Sequence, residues 1–189
     1  MKDATPPQST SAPVVVPTIA EMRKLAAAGD AAACIPALRE YTRNKGPGGD
    51  STAGLLATLL EHVKEALRDP KKAELNAPQA LQDCDLILSA LGECLPVNHP
   101  QHAVLSAKAY NRQGDALLLL KHPDQALASF NSAEALDPSD GYILYNRGRA
   151  FLAVDKKDEA KADFAEAASP KFKRSGVRKL AEKALAEMK

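Results

Sequence analysis

Between residues 107 and 174 the chain carries one pattern twice. Gly114 returns as Gly148, Ala126 as Ala160, Phe130 as Phe164 and Ala133 as Ala167, each pair 34 residues apart. Near the two glycines the wording also repeats: YNRQGDAL from Tyr110 is answered by YNRGRAF from Tyr145. A fixed period of this length, with small residues and one aromatic at matched places, marks a pair of amphipathic helices that stacks on its own copy. Glycine and alanine belong where helix backbones must approach closely, since a larger side chain would hold them apart. Phe130 and Phe164 have the size to fill the wedge between successive pairs, and Pro138 stops the helix before it.

Composition fits this reading. The chain has 189 residues, enough for one full core or one short solenoid. Aromatic residues make up only 4% and tryptophan is absent. Alanine and leucine supply most of the apolar content, which favours helix-on-helix packing over a sheet rich in β-branched and aromatic residues. A net charge of +1, from 25 basic and 24 acidic residues, speaks against a dedicated nucleic-acid binder. Cys34, Cys84 and Cys94 fall within helical patterns and read as small buried hydrophobes in a reducing compartment, not as a disulfide framework.

The repeat resembles the tetratricopeptide repeat (TPR) family. That family's aromatic, glycine, alanine, phenylalanine, alanine and proline positions fall on Tyr110, Gly114, Ala126, Phe130, Ala133 and Pro138. The second copy departs from it: Leu144 stands where Tyr110 does, and Phe172 takes the place of the proline, with Pro170 two residues early. The resemblance implies an all-α fold, a right-handed α-solenoid of antiparallel helix pairs with a C-terminal capping helix. It also implies a non-catalytic protein-binding module.

The rest of the chain is expected to organise around these two repeats, 107–140 and 141–174. Residues 1–17, rich in Pro, Ser and Thr, read as an extended tail. Residues 18–100 read as degenerate helical repeats. Thr18 and Glu21 have capping-box spacing, and Gly29-Asp30 gives a stop followed by a new N-cap. Pro36 marks a kink or late start in the next helix, and residues 44–50 (NKGPGGD) form a loop. Leu56, Leu59, Leu60, Val63 and Leu67 recur at helical spacing up to Asp69-Pro70, and a further helix is expected from about Pro78 to Leu95. Within 101–189, a final helix over 175–188 is capped by Ser175 and lays Val177, Leu180, Ala181, Ala184, Leu185 and Met188 along one face. Such a helix covers the apolar end of the last repeat.

No stretch approaches the roughly 18 continuous apolar residues of a membrane span. The run Val14–Val16 is too short for a signal-peptide core, and the first twenty residues lack arginine and carry Asp3, unlike a mitochondrial presequence. The expected location is therefore cytoplasmic, with a cilium, the cytoskeleton or a mitochondrion as the alternative.

By the geometry the resemblance implies, the first helix of each pair faces a concave groove. Lys108, Asn111, Arg112, Asp115 and Leu119 would face it from one repeat, and Tyr142, Tyr145, Asn146, Arg149 and Leu152 from the next. Three cations, two amides and two tyrosines suit an extended peptide with acidic side chains or a free carboxylate. The plainer alternative is a solvated polar helix face. Co-chaperones of the family hold an acidic chaperone tail with a carboxylate clamp of lysines, asparagines and an arginine. Lys108 and Arg112 match the spacing of its last pair and Asn146 its middle asparagine, but Asn146 comes after that pair instead of before it. Asp115 would occupy the first asparagine position and repel a carboxylate.

Other constellations are weaker. Cys94, His99 and His102 form a Cys-x4-His-x2-His run without a fourth zinc ligand in the nearby sequence, so no metal is expected. Residues 169–189 carry Lys171, Lys173, Arg174, Arg178, Lys179, Lys183 and Lys189 against Glu182 and Glu187, seven minus two or +5. Without interleaved aromatics this reads as a solvated face, and nucleic acid is not an expected partner. Phosphate loops, nucleophile elbows and His-Glu metal motifs are absent from the sequence, so neither catalytic residues nor a cofactor is expected. The sequence thus points to an adaptor that binds a peptide segment of a protein partner in its groove. The alternatives are a structural subunit of a large ciliary or mitochondrial assembly, held by its tail and outer faces, or a co-chaperone that binds an acidic chaperone C-terminal tail.

Overall fold

The structure, a computed structural model, describes residues 16–46, 48–172 and 175–188. Nine helices and no strands occur among the described residues. They are α1 (Ile19–Ala27), α2 (Ala31–Lys45), α3 (Asp50–Arg68), α4 (Ala73–Cys94), α5 (His102–Leu119), α6 (Pro123–Leu136), α7 (Gly141–Ala153), α8 (Lys157–Ala167) and α9 (Ser175–Glu187). Each odd-numbered helix packs on the next odd-numbered one. From α3 onward, each even-numbered helix packs on the helix before it and the helix after it. Contact only with neighbours, repeated along the chain, is the architecture of an α-solenoid.

Local chemistry sets the helix ends. The Thr18 hydroxyl accepts from the Glu21 amide at 3.2 Å, and the Glu21 carboxylate accepts from the Thr18 amide at 2.8 Å, which closes the capping box at α1. Gly29 then takes the left-handed conformation (φ 75°), and the Asp30 amide returns to the Leu25 carbonyl at 3.0 Å. Both later turns repeat this hydrogen bond. His122 donates to Leu117 and Lys156 to Phe151, each at 2.9 Å, while Lys121 (φ 61°) and Asp155 (φ 57°) hold the position Gly29 holds. Lys121 and Asp155 are themselves 34 residues apart, so the period extends to a strained backbone position that side-chain similarity does not show.

The matched glycines are packing sites. A methyl added at Gly114 would stand 2.5 Å from the Phe130 ring, and one added at Gly148 would stand 2.6 Å from the Phe164 ring. Both phenylalanines are fully buried. Each ring therefore lies on the bare backbone of the first helix in its own pair, and it also packs toward the next: Phe130 clusters with Ala150, and Phe164 with Val177 and Ala181. Phe172, which replaces the family's proline, does the same. It covers Gly141 at the start of α7, where an added methyl would meet its ring at 2.9 Å.

Three expectations need adjustment. Helix α4 begins at Ala73, not near Pro78, because the Ala73 amide already bonds the Asp69 carbonyl at 2.8 Å and Asn76 fastens the new turn to the Ala66 carbonyl at 2.8 Å. Pro78 lies inside the helix on its exposed side, and so does Pro36 in α2; each costs its helix one backbone bond near the start without breaking it. Helix α2 departs from the solenoid pattern by packing on α4, where Arg39 forks onto Glu93 at 2.7 and 2.9 Å and donates to Ser89 at 2.6 Å. The tail, but for its last two residues, and the Lys173, Arg174 and Lys189 members of the basic end lie outside the described residues. So does the Ser175 side chain expected to cap α9.

The glycine contacts are testable against ordinary helix propensity. Gly to Ala inside a helix gains about 0.5–1 kcal/mol when space is free. Gly54 and Gly92 have open space, so G54A and G92A are expected to raise stability by that amount. At Gly114 and Gly148 the neighbour is a locked aromatic ring, and overpacking of about 1–3 kcal/mol outweighs the gain. Urea unfolding of the four variants checks this; G114A and G148A should lower the midpoint.

Candidate functional site

Helices α3, α5, α7 and α9 line a groove of about 780 Å³. From α5 it is faced by Lys108, Asn111, Arg112, Asp115 and Leu119, and from α7 by Tyr142, Tyr145, Asn146 and Arg149. These are the residues expected from the sequence, apart from Leu152, which does not line it. Three sources were not anticipated. Helix α3 contributes Leu60, Glu61, Lys64, Leu67 and Arg68, helix α9 contributes Leu180, and the N-cap of α7 contributes Asp140. Helical spacing in α3 marked Leu60, Val63 and Leu67 as one apolar face, and the positions beside that stripe, Glu61, Lys64 and Arg68, were the available signal.

The two asparagines are not free amides. Asn111 and Asn146 are 4% and 7% exposed, and Asn146 Nδ2 donates to Asn111 Oδ1 at 3.1 Å and to Asp115 Oδ2 at 3.4 Å. They join α5 to α7 beneath the groove floor. Asp115 likewise does more than repel: Arg112 Nη1 approaches its Oδ2 at 3.3 Å and Arg149 Nη1 its Oδ1 at 3.4 Å. One carboxylate thus holds two guanidiniums at the floor. On the α3 side Lys64 pairs with Glu61 at 2.5 Å and Arg68 with Glu65 at 3.2 Å. The Lys64 hydrogen bond holds the Glu61 carboxyl below its usual range. Lys108 is exposed and makes no ion pair among the described residues.

Residues 107–140 match the tetratricopeptide repeat family. The chain carries a tetratricopeptide repeat over these residues. Among solved structures, the chain is similar to that of MamA, at 16% identity over 88% of this chain and 91% of that one, with a TM-score of 0.45. It is also similar to TTC0263, a thermophilic TPR protein in Thermus thermophilus, at 19% identity over 89% and 97% with a TM-score of 0.41. MamA 41-end from Desulfovibrio magneticus RS-1 follows at 14% identity over 81% and 95%, with a TM-score of 0.35. No curated protein matches the sequence.

Elsewhere in the chain, Cys94 and His99 of the Cys-His-His run have separate partners. Cys94 is buried beside the Thr42 hydroxyl, 3.5 Å away, and His99 turns its Nε2 to Asp50 at 3.3 Å. Groups of three or more metal-ligating side chains do not occur among the described residues. Lys171 pairs with Glu166 and lies 4.8 Å above the Phe172 ring, and Lys183 meets Glu187 at 3.7 Å, so part of the basic end is neutralised in place. None of the helices in the described residues is long and apolar enough to cross a membrane.

Burial raises the Asp115 carboxyl above its ordinary range, with Arg112 and Arg149 pulling the other way. A raised folded-state value means the native chain holds this proton more tightly than the unfolded chain. Stability from this group is therefore present below the unfolded value of about 3.9 and falls as pH rises through the folded value. Asp115→Asn does not titrate, so the stability of wild type relative to this variant should decline across that window. The decline amounts to about 1.4 kcal/mol for every tenfold by which folding tightens the hold on the proton. Unfolding measured at a series of pH values checks it; a flat difference contradicts the burial argument.

Proposed function

We propose that this chain binds an extended peptide segment of a protein partner in the groove of the odd-numbered helices, with acidic groups of the peptide facing the groove's cations. Tetratricopeptide repeats serve protein–protein interaction, which supports a binding module in general. The peptide reading is carried by one observation: four successive odd-numbered helices contribute to a single groove that combines cations with exposed Leu180 and the half-buried rings of Tyr142 and Tyr145. Peptide grooves combine apolar pockets for side chains with polar groups that fix register. In this reading the two repeats, 107–140 and 141–174, hold the α5 and α7 walls, α9 is the end-cap, and α3 belongs to the irregular pairs before them.

The test uses cations whose loss leaves packing intact. Asn146 and Arg112 belong to the buried network, so their substitution disturbs the scaffold as well as the surface. Lys64 and Lys108 project from it. The double variant Lys64→Glu/Lys108→Glu is expected to lose the partner in a pull-down by at least about tenfold, with the thermal midpoint within about 2 °C of wild type. Full retention of the partner would move binding to the outer faces and favour the assembly-subunit alternative.

A further inference from the structure

Two arginines of this structure close two-pronged pairs with a carboxylate. Arg147 grips Asp163 with Nε and Nη2 at 2.8 and 2.9 Å and gives Nη1 to Asn131 at 3.1 Å. Arg39 forks onto Glu93 at 2.7 and 2.9 Å. These distances are those of charge-assisted, two-pronged pairs, and such forks have little left to offer a ligand. Arg112 and Arg149 differ. Each offers only Nη1 to Asp115, on opposite oxygens of the carboxylate, at 3.3 and 3.4 Å. The Arg149 Nη1 is shared further with Asn146 Oδ1 at 3.2 Å. Among the described residues, Nε and Nη2 of both guanidiniums therefore remain uncommitted, and both side chains line the groove.

The charge count narrows what these donors can receive. Lys64 and Arg68 are each paired with a glutamate of their own helix. Two arginines share one aspartate, which leaves a surplus of one positive charge at the floor; Lys108 adds a second, and Asp140 at the N-cap of α7 offsets one. A run of acidic residues would find few cations free to meet it, and would lie against the Asp115 charge. A single carboxylate would find two half-open forks side by side, with the apolar surface of Leu67, Leu119 and Leu180 along the same groove.

We infer that the groove takes one carboxylate side chain of a peptide between Arg112 and Arg149, flanked by apolar residues, and that Asp115 is the positioning residue that aims both guanidiniums. The inference rests on the groove reading above and specifies its ligand. Asp115 lowers the local positive charge, so simple attraction would improve if it were removed. Its geometric role predicts the opposite, because two unanchored guanidiniums repel each other and lose their common aim.

The experiment is selection of a randomised peptide library displayed on phage against the immobilised full chain, followed by affinity measurement with synthetic copies of the winners. Enriched sequences should carry one Asp or Glu with apolar neighbours. Replacing that residue by its amide should weaken binding to wild type by about tenfold or more, and binding to Arg112→Gln/Arg149→Gln by less than about threefold. Asp115→Asn should weaken the same peptides; tighter binding would overturn the positioning role. Peptides that need several acids, or that bind better with phosphoserine at the key position, would overturn the single-carboxylate ligand. Peptides that lose binding on Leu180→Ser yet tolerate the amide everywhere would overturn this inference and leave the groove reading standing. If no enriched peptide responds to Leu180→Ser or to the arginine pair, both fail.

Discussion

A phenylalanine ring lying on a bare glycine backbone is the contact from which this solenoid is built. It occurs at Gly114 with Phe130, at Gly148 with Phe164, and again at Gly141 with Phe172. Full burial of such a ring contributes about 1.5–3 kcal/mol, and the missing side chain beneath it lets the two helices of a pair close on each other. Because each ring also packs toward the following helix, the same contact sets the spacing of successive odd-numbered helices. The groove exists because those helices are held side by side.

Polar chemistry divides between the two surfaces. Behind the groove, Gln113 bridges Asp85 and Ser129, each at 2.7 Å. In the next repeat Arg147 and Asp163 stand at the same two positions, and Arg147 reaches back to Asn131. Both sets tie an even-numbered helix, the following odd-numbered helix and the next even-numbered one together, using closed, short hydrogen bonds. At the groove floor the bonds run from 3.1 to 3.4 Å and the forks of Arg112 and Arg149 are half open. Satisfied pairs stabilise the scaffold, and partly satisfied ones are what a ligand can complete.

Much of this was legible in the sequence because the period was. Matched residues gave the helix pairs, the two glycine–phenylalanine sites and nearly all of the α5 and α7 faces of the groove. What escaped depended on contacts without a period. Phe172 broke the family's proline position, and only its seat on Gly141 explains why. Asn111 and Asn146 looked like surface amides, since spacing places a residue on a face but says nothing of how deeply the neighbouring helix covers it. The start of α4 was displaced because proline suggests a first turn, whereas Asp69 and Asn76 had already organised one upstream. The contribution of α3 to the groove was hidden by the irregular turn between α3 and α4, which removes the register that would have aligned it with α5 and α7.

The central claim is that the face of the odd-numbered helices, not the outer face, receives the partner. The most direct measurement is amide and arginine side-chain NMR of the labelled full chain as a selected peptide is added. Shift changes are expected to be confined to α3, α5, α7 and α9, strongest at the side chains of Arg112 and Arg149 and at the backbone of Tyr145. Changes concentrated on the exposed sides of α4, α6 and α8, with Arg112 and Arg149 unmoved, would contradict it.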